Sequence, residues 1–580
     1  MLPPETTSAG IGPPEATTDT GPAMKLRSIL LAAAASAPLI LSSATAFAQA
    51  VEPLEVTLLA INDFHGNLKP PGGGIKIKDP ADPAKTVSVP AGGSEAMATL
   101  VKEKRAAAKN SVFVAAGDLI GATPLLSALF ADEPTIESLS AMGLEVSAVG
   151  NYEFDKGVAE LKRKQYGGCQ TSTSCLALHP FVGAKFKYLA ASTVEKDTGK
   201  TIFPPYEVKT FEGISVAFVG LALKGTPDIV LPSGVAGVTF KDEAETVNAL
   251  VPELKAKGVE AIVVLIHEGG FPTGDYNECP GISGPIVDIV KKLDKAVDVV
   301  VSGHTHRAYN CAIDGRLVTS GDKFGTIVTQ IDVKIDRKTR DVIEAKANNV
   351  IVRTDTYAKD AEQTALIAAY EKVAGPLIER PVGKIAASLT REETPAGESV
   401  LGDVVADAQY ELTKAADKGA AAFAVTNPGG IRADLLKKGD EGKVSYGDIF
   451  ASQPFGNNLV TLTLTGADID TMLEQQWLKQ PKPRILQVSK NFSYTWDAAK
   501  PEGERVDIAS ITIDGKPIDP AGTYRVTVNN FLADGGDGFK VLKTGRDPLP
   551  GIFDVDALEA HIMAAGTIGP TARDRIKRVN

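Results

Sequence analysis

Basic residues are fewer than acidic residues in this 580-residue chain. It has 61 Lys and Arg against 72 Asp and Glu, a formal net charge of -11, and no run of Lys and Arg that would form a basic face. Proteins that bind DNA or RNA need such a face for the phosphate backbone. The sequence therefore predicts no nucleic-acid polymer as a partner. Small anionic substrates fit this composition only if metal ions supply positive charge.

Long apolar runs are missing except near the start. Met24-Lys25-Leu26-Arg27, the mostly apolar segment 29–41 and Ala46-Phe47-Ala48 follow one another in the order of a signal peptide. The apolar segment is too short to span a bilayer. We therefore expect residues 1–48 to be a leader and signal peptide cleaved near Ala48, and the protein to be periplasmic or secreted without stable membrane insertion.

Cysteine is rare, and its four copies lack the CxxC spacing of zinc ribbons and redox motifs. They fall into two local pairs, Cys169 with Cys175 and Cys279 with Cys311, and neither pair lies inside a candidate metal motif. Disulfides at both pairs fit an oxidising compartment. Free thiols are the alternative.

The length allows two sizeable cores. Residues 49–352 alternate apolar runs of strand length with helical stretches, which is typical of a layered α/β domain. Residues 353–381 predict a linker helix with Leu366, Tyr370 and Val373 on one face, ended by Pro381. Residues 382–580 predict a second mixed α/β domain. The chain has no internal repeat.

Histidine is scarce as well, and its placement carries the strongest signal. Four of the six histidines occur in polar motifs that directly follow strand-like runs. The five such motifs are Asn62-Asp63-Phe64-His65-Gly66, Gly117-Asp118-Leu119, Gly150-Asn151-Tyr152-Glu153-Phe154-Asp155, His267-Glu268-Gly269-Gly270 and Ser302-Gly303-His304-Thr305-His306. Because ligands of open α/β sheets bind outside the carboxyl ends of the strands, these motifs are expected to converge in one crevice. A single Asp or His at a strand end is usually a cap, but the set together predicts a metal site.

The order Asp-x-His, Gly-Asp, Gly-Asn-x-Glu, His and Gly-His-x-His resembles the calcineurin-like metallophosphoesterase family. Three later motifs, at 427–434, 454–457 and 530–539, resemble the substrate-binding domain of 5′-nucleotidases. The resemblance implies an α/β protein with a layered β-sandwich metallophosphoesterase domain flanked by helices, a linker helix and a second mixed domain. It also implies an exported phosphohydrolase that removes phosphate from nucleotides, with cyclic nucleotides and nucleotide sugars as related substrates.

The resemblance further implies a seven-ligand site for two divalent ions. Asp63, His65 and His306 would hold one ion, Asn151, His267 and His304 the other, and Asp118 would bridge them. A nitrogen and oxygen set without thiolate suits Zn, Mn or a similar ion, and the sequence does not choose among them. Two such ions activate a shared water, so that hydroxide attacks phosphorus in line with the leaving group.

Substrate recognition is implied for residues of the second domain. Phe455 and Phe531 would sandwich a nucleobase, and Asp537 would accept hydrogen bonds from ribose hydroxyls. Matching polar positions are Asn427, Arg432 and Asn457, with Arg391 a weaker candidate. The alternative is local, because buried phenylalanines are usually core and Asp-Gly-Gly-Asp-Gly is usually a turn.

Tyr152 departs from the resemblance. The family usually has His at this position, paired with the Asp three residues later, here Asp155. With a reference pKa of about 10, tyrosine donates a hydrogen bond but carries no positive charge. We expect Tyr152 and Asp155 to form a catalytic pair that is slower or prefers better leaving groups. The alternatives are a nucleotide-binding protein with weakened or lost catalysis, and a related esterase or sulfur-compound hydrolase acting on another substrate.

Overall fold

The computed structural model describes residues 52–169, 179–480 and 482–580. The predicted leader and signal peptide, residues 1–48, lies outside the described residues. Within the described ranges, every helix is too short or too polar to cross a membrane.

The first part of the chain is rich in strands. Its strands are β1 (Leu54–Ile61), β2 (Ile75–Asp79), β3 (Asp82–Val89), β4 (Ser111–Ala115), β5 (Val146–Ala148), β6 (Lys187–Leu189), β7 (Thr193–Glu195), β8 (Tyr206–Phe211), β9 (Ile214–Leu221), β10 (Val238–Phe240), β11 (Ala261–Ile266), β12 (Val299–Val301), β13 (Ala308–Ile313), β14 (Arg316–Gly321), β15 (Ile327–Ile335) and β16 (Val342–Ile351). Its helices are α1 (Ser94–Ala107), α2 (Leu125–Ala128), α3 (Glu133–Ala141), α4 (Val158–Tyr166), α5 (Thr226–Ile229), α6 (Glu243–Ala256) and α7 (Pro285–Lys292).

Two six-stranded sheets form the core of this part. Their strand orders are β16-β15-β1-β4-β5-β6 and β13-β14-β12-β11-β9-β8. Alternate residues of each central strand point to opposite faces, so Leu58 of β1 meets Leu265 of β11 between the sheets, while Leu59 packs outward with Leu100 of α1. Helices α6 and α7 cover the other sheet. This arrangement confirms the predicted layered β-sandwich flanked by helices.

The central strands run parallel, which aligns their carboxyl ends. β1 pairs with β4 and β4 with β5 in one sheet, and β9 pairs with β11 and β11 with β12 in the other. Because both faces of these strands are covered, their residues are almost all apolar and buried. The register places Ile61 beside Ala115 and Leu265 beside Val301, so the loops that follow start side by side.

Helix α8 (Ala361–Ile378) lies within the segment predicted as a linker. Its buried face consists of Gln363, Ile367, Tyr370 and Ala374, and Tyr370 donates a 2.9 Å hydrogen bond from Oη to Glu137 of α3. The predicted apolar face was wrong at Val373, which is 49% exposed. The reason is rotation about the helix axis: Ile367, Tyr370 and Ala374 follow the spacing of one face, and Val373 lies about 100° away from Ala374.

The second part is a mixed α/β unit. Its strands are β17 (Pro381–Ile385), β18 (Phe423–Thr426), β19 (Lys443–Ser445), β20 (Asn458–Thr465), β21 (Gln487–Val488), β22 (Phe492–Asp497), β23 (Thr512–Ile513), β24 (Lys516–Pro517), β25 (Thr523–Asn529), β26 (Arg546–Phe553), β27 (Thr567–Ile568) and β28 (Ile576–Val579). Its helices are α9 (Val400–Thr413), α10 (Tyr446–Ser452), α11 (Gly466–Glu474), α12 (Asn530–Ala533) and α13 (Asp554–Ala565). The largest sheet has the order β21-β18-β25-β20-β26.

One predicted disulfide is present and joins Cys279 to Cys311 of β13. It fastens the loop between β11 and α7 to the edge strand of the second sheet, which confirms this pairing. The other predicted pair, Cys169 with Cys175, lies partly outside the described residues, because Cys175 falls between 169 and 179.

Candidate metal centre and substrate cleft

The five polar motifs follow the carboxyl ends of five parallel strands. β1, β4 and β5 come from one sheet, and β11 and β12 come from the other. The seven predicted metal ligands are thus contributed by both layers of the sandwich at one edge. A first link between the loops is the 3.0 Å hydrogen bond from the Asp63 backbone N–H to the Gly117 carbonyl.

Two groups of candidate ligands form at this edge, Asp63, His65 and His306 in one and Asp118, His267 and His304 in the other. Within each group the ligand atoms lie within 4.8 Å of one another. In the first, His65 Nε2 is 3.1 Å from His306 Nε2. In the second, Asp118 Oδ2 is 2.9 Å from His267 Nε2, and Asn151 Oδ1 is 3.1 Å from the same nitrogen.

Asp118 lies between the two groups. Its Oδ2 atom is 3.8 Å from His65 Nε2 of the first group as well as 2.9 Å from His267 Nε2 of the second. Its other oxygen, Oδ1, accepts a 2.9 Å hydrogen bond from the Tyr152 backbone N–H. One carboxylate oxygen is therefore held by the protein, and the other is directed between the groups.

The donor set fits a pair of divalent cations. The Nδ1 atoms of His65 and His267 each lie 2.8 Å from a backbone carbonyl oxygen, which they face as donors, so each Nε2 presents its lone pair. Asp63 Oδ1 and Asp118 Oδ2 are buried without a hydrogen-bond partner. Such oxygens and facing imidazole lone pairs repel one another unless a cation lies between them.

The protonation of His304 and His306 agrees with this fit, whereas the charge of Asp118 and its hydrogen bond overcome burial and raise the pKa of His267 to about 10. Burial lowers the pKa of His304 to about 4, and burial likewise places the pKa of His306 well below its usual value. Burial alone would raise the pKa of Asp63, but its interactions with His306 and His65 hold that pKa well below the usual value. Neutral imidazole and ionised carboxylate are the forms that bind metals.

The ligand loops carry strained backbone. Asp63, His65, Asp118, His304 and His306 have φ between 47° and 67°. Residues other than glycine rarely adopt this left-handed region, which costs roughly 1–2 kcal/mol each. Strain of this kind persists where surrounding contacts enforce it. One such contact is the 2.9 Å hydrogen bond from the His304 N–H to Asp63 Oδ2.

Glu153 is a functional residue that sequence reasoning missed. Its buried carboxylate accepts hydrogen bonds from the N–H groups of Asp118 (3.0 Å), Leu119 (2.8 Å) and Gly150 (2.8 Å). It therefore ties the loop after β4 to the loop after β5 and positions Asp118 and Asn151. The only signal in the sequence was an acidic residue within the third motif.

Tyr152 joins the metal loops to the second part of the chain. Its ring packs edge-on against His65 at 5.0 Å and stacks on Phe455 at 5.8 Å with 17° between the planes. Arg432 Cζ lies 5.5 Å from the centre of the same ring. Burial raises the pKa of Tyr152 to about 12, although Arg432 opposes the rise. Tyr152 is therefore a neutral phenol.

Asp155 follows Tyr152 on a short helical turn. Its backbone N–H donates to the Tyr152 carbonyl, but among the described residues no hydrogen bond joins the Tyr152 hydroxyl to the Asp155 carboxylate. Burial raises the pKa of Asp155 to about 8. The two predicted catalytic residues are thus neighbours without a direct side-chain bond.

Asn427 and Asp537 meet at the cleft in the second part. Asn427 Nδ2 donates a 2.7 Å hydrogen bond to Asp537 Oδ2, and Arg484 forms an ion pair with Asp537 Oδ1. Arg484 had no predicted role. Asp537 itself is in the left-handed region with φ of 56°, a conformation that Asp adopts more readily than most residues.

The remaining predicted substrate residues lie in separate surroundings. Phe531 packs against Gly536, where an added Cβ would lie 2.5 Å from the ring, and it lines a cavity of about 290 Å³ next to α5. Asn457 donates a 3.3 Å hydrogen bond to Asp554 Oδ2. Arg391 is half exposed and pairs with Asp434 at 2.9 Å. The structure thus brings Arg432 and Phe455 to the metal loops, but pairs Arg391 away from them.

Two family profiles match this sequence. The profile described as calcineurin-like phosphoesterase matches residues 56–308, and the profile described as 5′-nucleotidase, C-terminal domain matches residues 381–544. The chain belongs to the 5′-nucleotidase family. This result confirms the resemblance inferred from the motifs.

Two related bacterial proteins and one solved structure align with most of this chain. Endonuclease YhcR of Bacillus subtilis is 34% identical over 529 residues, which make up 91% of this chain and 41% of that protein. Cell wall protein Lmo0130 of Listeria monocytogenes is 31% identical over 523 residues, 85% of this chain and 65% of that protein. This chain therefore spans less than two thirds of the length of either relative. The crystal structure of a 5′-nucleotidase precursor from Thermus thermophilus has a TM-score of 0.74 at 27% identity, covering 91% of this chain and 100% of that one.

Proposed function

We propose that this protein is an exported, metal-dependent phosphoester hydrolase that removes phosphate from nucleotides. The observation that carries the proposal is the pair of ligand groups, Asp63 with His65 and His306 and Asp118 with His267 and His304. They lie at the edge where Arg432 and Phe455 of the second part reach Tyr152. Membership of the 5′-nucleotidase family supports the same reaction.

The first group would hold one divalent ion and the second group, with Asn151, the other. Asp118 contributes the oxygen directed between them. Zn, Mn or a similar ion suits these nitrogen and oxygen donors. When bound, such a pair supplies an activated water and neutralises charge on the phosphoryl oxygens.

The chain's own side chains position the substrate and handle the leaving group. Arg432 carries a permanent positive charge 5.5 Å from the Tyr152 ring, where it can bind phosphoryl oxygens. Tyr152 is neutral and can donate a hydrogen bond to the leaving oxygen. Phe455 offers an aromatic face for a nucleobase, and Asp537 is an acceptor for ribose hydroxyls.

The test is phosphate release by the full chain after removal of metals with a chelator and reloading with Mn or Zn. We expect release from nucleoside 5′-monophosphates that depends on metal, and loss of this release in Asp118→Asn. A panel of 5′, 3′ and cyclic nucleotides and nucleotide sugars identifies the preferred ester. If the reloaded protein binds nucleotides but releases no phosphate from any of them, it is a binding protein that has lost catalysis.

Export is part of the proposal because Cys279 and Cys311 form a disulfide, which requires an oxidising compartment to persist in most organisms. The relative from Listeria monocytogenes is named a cell wall protein. Fractionation of cells that express the full chain tests this point. Recovery of the protein in the cytoplasm with reduced cysteines would contradict export.

A further inference from the structure

Four cationic side chains lie close to one another at the cleft between the candidate metal ligands and Asp537. We call this set, Arg307, Arg432, Lys482 and Arg484, the cation cluster. Arg307 directly follows His306, Arg432 lies over Tyr152, and Arg484 is paired with Asp537. Within the described part of the chain, Arg307, Arg432 and Lys482 form no salt bridge with any carboxylate.

These charges repel one another. Desolvation lowers the pKa of the Lys482 amine, and repulsion from Arg307 lowers it further, against the attraction of Glu393. Burial also lowers the pKa of Arg484. The whole chain carries a formal net charge of -11, so composition does not explain this local surplus of positive charge. A surplus of this kind favours binding of an anion.

The phosphoryl group that is hydrolysed does not account for the whole cluster. Two divalent ions beside the carboxylates of Asp63 and Asp118 leave two positive charges, which match a dianionic phosphate monoester, and Arg432 adds a third. Lys482 and Arg307 then remain for another anion, because Arg484 is already paired with Asp537. The substrate is therefore expected to carry a second negatively charged group.

Arg484 indicates where this second group lies. Asp537 is the predicted acceptor for ribose hydroxyls, but its Oδ1 is paired with Arg484 and its Oδ2 accepts from Asn427 at 2.7 Å. The Arg484 side chain is 22% exposed and contacts Asp537 directly. A ribose that approaches Asp537 therefore meets a planar set of N–H donors, which suits a phosphate better than a hydroxyl.

We propose that Arg484 and Lys482 bind a second phosphate carried on the ribose, so that the site prefers nucleoside 3′,5′-bisphosphates to nucleoside 5′-monophosphates. Hydrolysis of the 5′ ester with one water then yields a nucleoside 3′-phosphate and inorganic phosphate. This inference rests on the proposed phosphohydrolase function for its kinetic readout. Its binding readout does not need hydrolysis.

The experiment compares adenosine 3′,5′-bisphosphate with AMP. On the metal-loaded full chain, kcat/KM is measured for release of the 5′-phosphate. In EDTA, the two affinities are measured by calorimetry. We expect the bisphosphate to be favoured in both assays, and Arg484→Gln or Lys482→Gln to reduce the bisphosphate-to-AMP ratio about ten- to a hundredfold, the usual effect of losing a hydrogen bond to a charged group. Arg546→Gln, on the exposed strand β26, removes the same charge and should leave the ratio within about twofold.

The contrary results are distinct. The second phosphate site is rejected if the wild-type protein has an equal or higher kcat/KM and affinity for AMP than for the bisphosphate. It is also rejected if the bisphosphate-to-AMP ratio is unchanged in both Arg484→Gln and Lys482→Gln. If Arg484→Gln fails to fold, as judged by its melting curve, Lys482→Gln and the wild-type preference decide the question. Tighter binding of the bisphosphate in EDTA with no phosphate release from either compound rejects the proposed hydrolysis and supports the second phosphate site.

Discussion

Replacement of Tyr152 by histidine tests the role of the one residue in the metal motifs that departs from the family pattern. A histidine at this position can carry positive charge and protonate the leaving oxygen, and general acid help of this kind is worth about 10² to 10⁴ in rate. We expect Tyr152→His to hydrolyse AMP faster than the wild-type protein. The gain should appear in kcat.

The structure places the expected gain at the lower end of that range, about ten- to a hundredfold. The site is desolvated, as the rise in the Tyr152 pKa to about 12 indicates, and Arg432 Cζ is only 5.5 Å from the ring. Both effects disfavour a charged imidazole. The smaller ring also weakens the stack with Phe455 at 5.8 Å, worth about 0.5–1.5 kcal/mol, which should raise KM several-fold.

The assay uses AMP and p-nitrophenyl phosphate in parallel. Because p-nitrophenolate leaves without protonation, Tyr152→His should increase kcat for AMP but change kcat for p-nitrophenyl phosphate by less than about threefold. Tyr152→Phe keeps the aromatic contacts without the hydroxyl and serves as the matched control. If the His variant is no faster on AMP, or gains equally on both substrates, Tyr152 does not limit leaving-group protonation.

Three further predictions concern the ligand loops and stability. Asp118→Asn should lower the bound metal from two ions to one or none by elemental analysis, because the oxygen directed between both groups loses its charge; two retained ions would contradict the bridging role. Glu153→Gln leaves one or two backbone N–H groups without an acceptor, at about 1–3 kcal/mol each, so the unfolding midpoint and metal affinity should both fall, whereas a loss of activity at unchanged metal affinity would point to direct contact with substrate. Burial raises the pKa of Asp298 to about 7 from 3.8, so the folded state holds its proton more tightly and stability is lost as pH rises from about 4 to 7. Asp298→Asn keeps an acceptor for the Ile262 N–H and removes this loss, so its melting temperature should gain on the wild type across that window; a constant difference would refute the assignment.

Part of the site could be predicted because the chemistry is local in the sequence. Asp63 with His65 and His304 with His306 are short motifs at the ends of apolar runs, and parallel strands must bring such ends to one edge. The disulfide between Cys279 and Cys311 was predicted because the four cysteines fall into two local pairs. The role of Glu153 was not predictable from the sequence. Two of the three N–H groups that donate hydrogen bonds to its carboxylate belong to Asp118 and Leu119, which lie 35 and 34 residues earlier in the chain, and only Gly150 belongs to its own loop.

The pattern of the chain was less informative where packing decides orientation. Val373 was predicted on the buried face of α8, yet it is 49% exposed, because contacts with α3 determine how the helix is rotated. The predicted Tyr152 and Asp155 pair is another case. Adjacency in sequence placed them together, but burial and the ring of Phe455 determine the surroundings of the Tyr152 side chain.

The strand-end motifs and their order by themselves predicted a layered α/β domain and a metal site, because periodicity and strand-end chemistry are properties of short segments. The β-sandwich and the ligand set were predicted from the resemblance of these motifs to the metallophosphoesterase family. Only the tertiary structure decided which charges share a space. Arg307 and Arg432 are 125 residues apart along the chain, Arg432 and Arg484 are 52 residues apart, and no local pattern relates them. Their meeting in the cleft depends on how the two parts pack, and this long-range packing determines the electrostatics of the cleft.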